Sequence, residues 1–338
     1  MPTAIRPRIL LVCVVLGSGC AHRPAPASGT VASVPAIVAT VPAIVATVPG
    51  GTALVEHVVK PEQADPAADR WLADQYAYTD RGAASAGKLV VYLIGANGRP
   101  AGGRTMMKEL AALGFHVIAP MYANDYSMHD LCEPADADDD CHGKARLEAF
   151  EGRDHSPHLV VTRANSIEER VAKLLAFLDH AFPGEGWGAF LDGSGPRWPA
   201  IIVAGHSHGA SSAGLIGKVR QVNRVVMLSG PYDNRARAPA AWTRRPSATP
   251  TDRVYALSHA NEPQHQGHLA DWAAMGLDTL GAITDVDHAT PPYGGSHRLV
   301  TALPGRNPHG VTAAGGSSPA GPDGRYQLTP AWRYLFGR

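Results

Sequence analysis

Five residues, Gly205-His206-Ser207-His208-Gly209, hold a serine between two glycines directly after the apolar run Ala200-Ile201-Ile202-Val203-Ala204. Small residues dominate the segment 210–217 that follows. The pattern G-x-S-x-G does chemistry only when a strand leads into it and a helix leaves it, and these flanks supply both. A serine lifted out on so tight a turn leaves no room for Cβ atoms beside it, a steric reason for glycine at both positions. The helix N-terminus adds free amides and a dipole that favour negative charge. Nucleophilic attack by Ser207 is the chemistry expected. His206 and His208 do not read as a zinc site, because a turn points them apart and no cysteine or carboxylate completes a ligand set.

The elements around this turn read as an α/β protein. Residues 54–59 predict a first strand and 88–94 a buried central one, followed by the turn Gly95-Ala96-Asn97-Gly98-Arg99-Pro100. A helix over 103–113, capped by Gly114, and a strand over 115–120 come next. Ser166 and Glu169 predict a capping box, and Ile167, Val171, Leu174, Leu175 and Leu178 then share one helix face. After the serine, strands are expected over 222–229 and 253–258, with 234–250 irregular and 268–277 helical. The last strand is either 282–287 or 298–303, and a short aromatic helix over 330–336 closes the chain. Strands alternating with helices predict a mostly parallel sheet covered on both faces.

Between 121 and 161 this pattern fails. The segment holds Cys132 and Cys141 and the acidic residues Asp136, Asp138, Asp139 and Asp140. Without the glycine and terminal glutamate of a calcium loop, it reads as a solvated, disulfide-closed insertion, placed to be a lid or a rim of the site. The 338 residues suit one large domain, and a formal net charge of +0 implies no nucleic-acid surface.

The N-terminus reads as a targeting segment. Arg6 and Arg8 precede an apolar run over 9–16 that is too short to span a bilayer. Leu16-Gly17-Ser18-Gly19-Cys20 resembles a bacterial lipoprotein signal site, which implies a signal peptide over 1–19, lipid on Cys20 and an anchor in the cell envelope; ordinary secretion is the alternative. Cys132 and Cys141 then form an even pair in an oxidising compartment, and a disulfide follows. Residues 20–51, with the tandem unit Pro-Ala-Ile-Val-Ala-Thr-Val, read as an extended tether because each unit opens on a helix-breaking proline. The catalytic domain is expected over 52–338.

From about Leu54 onward the order of elements around Gly205–Gly209 resembles the α/β-hydrolase fold. The resemblance implies a triad in the chain order nucleophile, acid, histidine. Serine needs a positioned base, and the base a carboxylate that fixes its tautomer. Glu262, after the strand 253–258, is the preferred acid, with Asp233 the alternate and Asp285 and Asp287 behind it. Among 16 histidines, His309 is the preferred base and His297 the alternate, depending on which strand is last. His265 and His268 are expected to face solvent. The backbone amides of His208 and of Ala96 or Asn97 are the expected oxyanion hole. Together these imply an exported serine hydrolase acting on a small-molecule or lipid-like carboxylic ester without a cofactor. An amidase or peptidase on the same fold, or a non-catalytic surface-binding lipoprotein, are the alternatives.

Overall fold

The computed structural model describes residues 44–48, 52–132, 138–235 and 238–338. The expected signal peptide, the lipidation site Cys20 and most of the expected tether lie outside these residues, as does Asp136 of the acidic run.

One ten-stranded sheet organises the chain. Its strands are β1 (Ile44–Val48), β2 (Thr52–Val59), β3 (Gln75–Asp80), β4 (Leu89–Leu93) and β5 (His116–Ala119). The second half of the chain adds β6 (Ile201–His206), β7 (Arg224–Leu228), β8 (Val254–His259), β9 (Thr284–Asp285) and β10 (Arg298–Thr301). Their order is β1-β2-β3-β5-β4-β6-β7-β8-β10-β9. The first three strands pair antiparallel, and from β5 onward every pairing is parallel. This is the α/β-hydrolase fold, with the chain leaving β4 to one side for β5 and crossing back to the other for β6. Loops after adjacent strands diverge at such a crossover and leave a crevice at the carboxyl ends of the strands.

The apolar runs explain the layering. In β4, Leu89, Val91 and Leu93 face one side and Val90 and Tyr92 the other, all of them buried. The first face is covered by α2 (Cys141–Glu151), α3 (Ile167–Ala181), α4 (His208–Val219) and α5 (His265–Ala274), and the second by α1 (Arg104–Ala112) and α6 (Thr329–Phe336). A strand buried on both faces reads as a continuous apolar run.

Several expectations change. The described sheet reaches back to Ile44, inside the 20–51 segment, because the second repeat unit pairs antiparallel with β2. β3 carries no apolar alternation, since Gln75, Thr79 and Asp80 are buried beside Tyr76, Ala77 and Tyr78. The 121–161 segment is not a solvated insertion. Eight of the eleven residues of α2 are buried, and Cys132 and Cys141 are joined at a Cα separation of 5.8 Å. The capping box of α3 is half formed: Ser166 accepts the Glu169 amide at 3.3 Å, but the Glu169 carboxylate turns to Arg163. Both candidates for the last strand exist, with β10 beside β8 and β9 at the sheet edge. Among the described residues no helix is long and apolar enough to cross a membrane.

Candidate active site

Ser207 follows β6 as the first residue off the strand, with φ 59° and ψ −122°. An L-residue adopts that conformation only when its surroundings force it. The force is close packing: a Cβ on Gly205 would collide with the Gly209 backbone, and one on Gly209 with the Leu93 carbonyl. The Ser207 amide donates to the Leu228 carbonyl at 2.9 Å, which ties the turn to β7. The serine therefore stands proud of the carboxyl edge of the sheet with α4 starting directly behind it.

The other pieces arrive from the same edge. After β8, Glu262 is buried, and its Oε2 lies 2.7 Å from Nδ1 of His309, which follows β10. Oε1 accepts hydrogen bonds from Ser258 Oγ at 2.8 Å and the His259 amide at 2.9 Å, and Ser229 Oγ lies 3.2 Å from it. Burial works to raise the pKa of Glu262, but hydrogen bonds from His268 and His309 outweigh it and hold the carboxyl well below the usual range. It stays an acceptor, as the partner of an imidazole N–H must. The His309 carbonyl accepts from His206 Nε2 at 2.7 Å and Ser229 Oγ at 3.0 Å, so the residue before the serine and the loop after β7 both locate His309. Burial, and then the neighbouring His309, push His206 down to about 4, leaving it neutral in this role at pH 7.

Ser207, His208, Ala96, Ser229, His268 and His309 line one pocket of about 160 Å³. The His208 amide begins α4, where no helical acceptor is available to it. Ala96, in the turn after β4, lines the same pocket. That turn is clamped by Asn124, which follows β5: its Nδ2 donates to the carbonyls of Gly95 at 2.8 Å and Gly98 at 3.0 Å. The same clamp removes one expected donor, because the Asn97 amide donates to the Asn124 carbonyl at 2.7 Å and is not free for an oxyanion. Tyr122 adds a hydrogen bond from its hydroxyl to the Ile94 carbonyl at 2.5 Å.

The alternates go elsewhere. His297 precedes β10 and so lies at the amino edge of the sheet, away from Ser207, with Nδ1 on the Val254 carbonyl and its ring stacked on Tyr255. Asp233 lines the pocket but is held by Arg146 through two contacts of 2.5 and 2.6 Å and by Trp242 Nε1 at 2.8 Å. Burial would raise its pKa, yet the Arg146 charge and hydrogen bonds force it far down. Asp233 is thus the buried counter-ion of Arg146. Asp285 pairs with exposed His288, and Asp287 holds Thr301 and Ala302.

His265 and His268 do not face solvent as a pair. His268 is fully buried and His265 partly so, and both place Nδ1 2.9 Å from Ser258 Oγ. Sequence reading misses Asn124, Arg146, Ser229, Ser258 and His268. Asn124 and Arg146 lie in the segment after β5, Ser229 just beyond β7 and Ser258 near the end of β8, a positional signal that His268, inside α5, does not share. A larger cavity of about 1040 Å³ lies against α1 and α6 and contains none of these groups.

No protein-family model matches the chain, and no curated protein does. Among solved structures, the chain is similar to esterase 2 of Thermogutta terrifontis, in its apo form, at 13% identity and a TM-score of 0.41, over 85% of this chain and 94% of that one. It is also similar to esterase B of Lactobacillus rhamnosis at 13% identity and a TM-score of 0.39, over 73% and 75% of the two chains. At this identity and these scores neither likeness bears on mechanism or substrate.

Proposed function

We propose that the protein is a serine hydrolase that cleaves small carboxylic esters through an acyl-enzyme on Ser207. The observation that carries this is the 2.7 Å contact between Glu262 and His309 on the wall of the pocket that Ser207 lines. With Nδ1–H given to Glu262, the His309 imidazole offers Nε2 as the base. Ser207 Oγ attacks the ester carbonyl as His309 takes its proton, and the negative oxygen is held by the His208 and Ala96 amides. The proton then passes to the departing alcohol. Water, activated by the same imidazole, attacks the acyl-enzyme and restores the serine. Glu262 keeps the imidazole in the required tautomer and stabilises its protonated form. At about 160 Å³ the pocket lies below the usual range for ligand sites, roughly 300–1,000 Å³, which favours short acyl groups.

A fluorophosphonate probe tests this reading. It should label the wild type and leave Ser207→Ala unlabelled. Glu262→Gln should lower p-nitrophenyl acetate turnover by about 10⁴-fold, since an amide no longer selects the tautomer. Labelling that persists in Ser207→Ala refutes the assignment. We also infer export and attachment through lipid on Cys20, supported by the N-terminal charge and apolar pattern and by the Cys132–Cys141 disulfide.

A further inference from the structure

The pocket beside Ser207 is lined by a buried histidine that the proposed reaction does not use. His268 lines it, is fully buried, and has no partner for Nε2 among the described residues. Its other nitrogen reveals where the proton sits. Glu262, held ionised, can only accept, so the Ser258 hydroxyl donates to it at 2.8 Å. The two lone pairs of Ser258 Oγ then accept from Nδ1–H of His265 and Nδ1–H of His268, each at 2.9 Å. His268 therefore carries a proton on Nδ1, and Nε2 is the nitrogen left without a partner, an acceptor in the Nδ1–H tautomer. A buried polar group without a partner calls for an explanation, and a ligand that completes it is one.

The surroundings define the missing partner. Gln264, Ser127 and Ser211 line the same pocket, and the charge of Arg146 is cancelled by Asp233. An acceptor among neutral polar groups selects an uncharged donor. Tyr232, 38% exposed, stands edge-on to His268 at a ring separation of 6.1 Å and forms the outer wall. We propose that His268 Nε2 is a specificity determinant that accepts a hydrogen bond from a hydroxyl group of the substrate, so that the enzyme acts on short hydroxylated esters. This rests on the reading of Ser207 as nucleophile. The hydroxyl belongs either to the acyl group or to the alcohol.

Two matched pairs separate those sources. Ethyl lactate against ethyl isobutyrate exchanges hydroxyl for methyl on the acyl side, and 2-hydroxyethyl acetate against propyl acetate does so on the alcohol side. With the full-length protein in a pH-stat assay, kcat/KM should favour the hydroxylated member of one pair by about tenfold, because a site built to bond a hydroxyl rejects the analogue that lacks it. In His268→Phe that ratio should fall towards one, and in His268→Gln, whose amide oxygen can accept, part of it should return. Loss of support to Glu262 would slow both members of a pair alike and cancel in the ratio. Wild-type ratios within about twofold of one for both pairs overturn the proposal, as does a preference that survives His268→Phe. Ester turnover that survives Ser207→Ala overturns the catalytic reading instead.

Discussion

Asp271 bonds through Oδ2 to the Asp233 amide at 3.0 Å, while Oδ1 is buried without a partner among the described residues. Burial pushes its pKa from 3.8 up to about 8. A carboxyl whose folded pKa exceeds its unfolded one keeps a proton in the native state that the unfolded chain has lost. Its contribution to stability therefore falls as pH rises from about 4 to about 8. Asp271→Asn removes this titration and keeps an oxygen for the Asp233 amide. The variant should melt above the wild type at pH 8 by on the order of 1 kcal/mol, roughly 2–4 °C, with the gap closing towards pH 4. Thermal unfolding across that range is the measurement, and a gap independent of pH refutes the assignment. Glu262 behaves oppositely: its depressed pKa favours the fold above the ordinary carboxylate range, and that support is lost as acid protonates it.

At the scale of elements, the candidate site is a set of strand ends held in register by side chains from neighbouring strands. Asn124, from the segment after β5, grips the turn after β4 at Gly95 and Gly98. The position of the Ala96 amide, the proposed oxyanion donor, thus depends on Asn124. Asn124→Ala should lower kcat about 10²-fold, since displacement of a catalytic group by about 1 Å has that effect. KM should change much less, because the loss falls on an interaction made only in the transition state. A kcat within about threefold of wild type would show that the turn holds itself. Arg146 works similarly across α2 and α4, bonding the His208 carbonyl at 3.3 Å and Ser212 at 3.1 Å while paired with Asp233. The 121–161 segment is therefore part of the frame of α4, the helix that starts behind Ser207.

Taken whole, the molecule combines a two-faced sheet with an N-terminal segment whose composition differs from it. Lipid on Cys20 would hold the domain at a membrane by acyl burial alone, which needs no spanning helix. Cys20→Ser should move the protein from the membrane fraction to the soluble fraction with its ester turnover unchanged. Equal partition of variant and wild type would refute the anchor. The Cys132–Cys141 bond, between residues packed into the core, is consistent with an oxidising destination.

The elbow was legible in the sequence because its physics is local: apolar run, glycine, serine, glycine and small-residue helix are contiguous, and each enforces the next. The β4 and β5 strands, the α3 face and the closing α6 helix were legible for the same reason. Strand β3 was not, since its buried Gln75 and Asp80 depend on strands distant in sequence. The choice between His309 and His297, and between Glu262 and Asp233, needed the fold, because it turns on which edge of the sheet a loop leaves and on which carboxylate Arg146 claims. The loss of Asn97 as a donor, and the burial of His268 behind Ser258, came from contacts between separate strand ends. Local sequence determined the Ser207 turn; long-range packing alone decided which groups surround it.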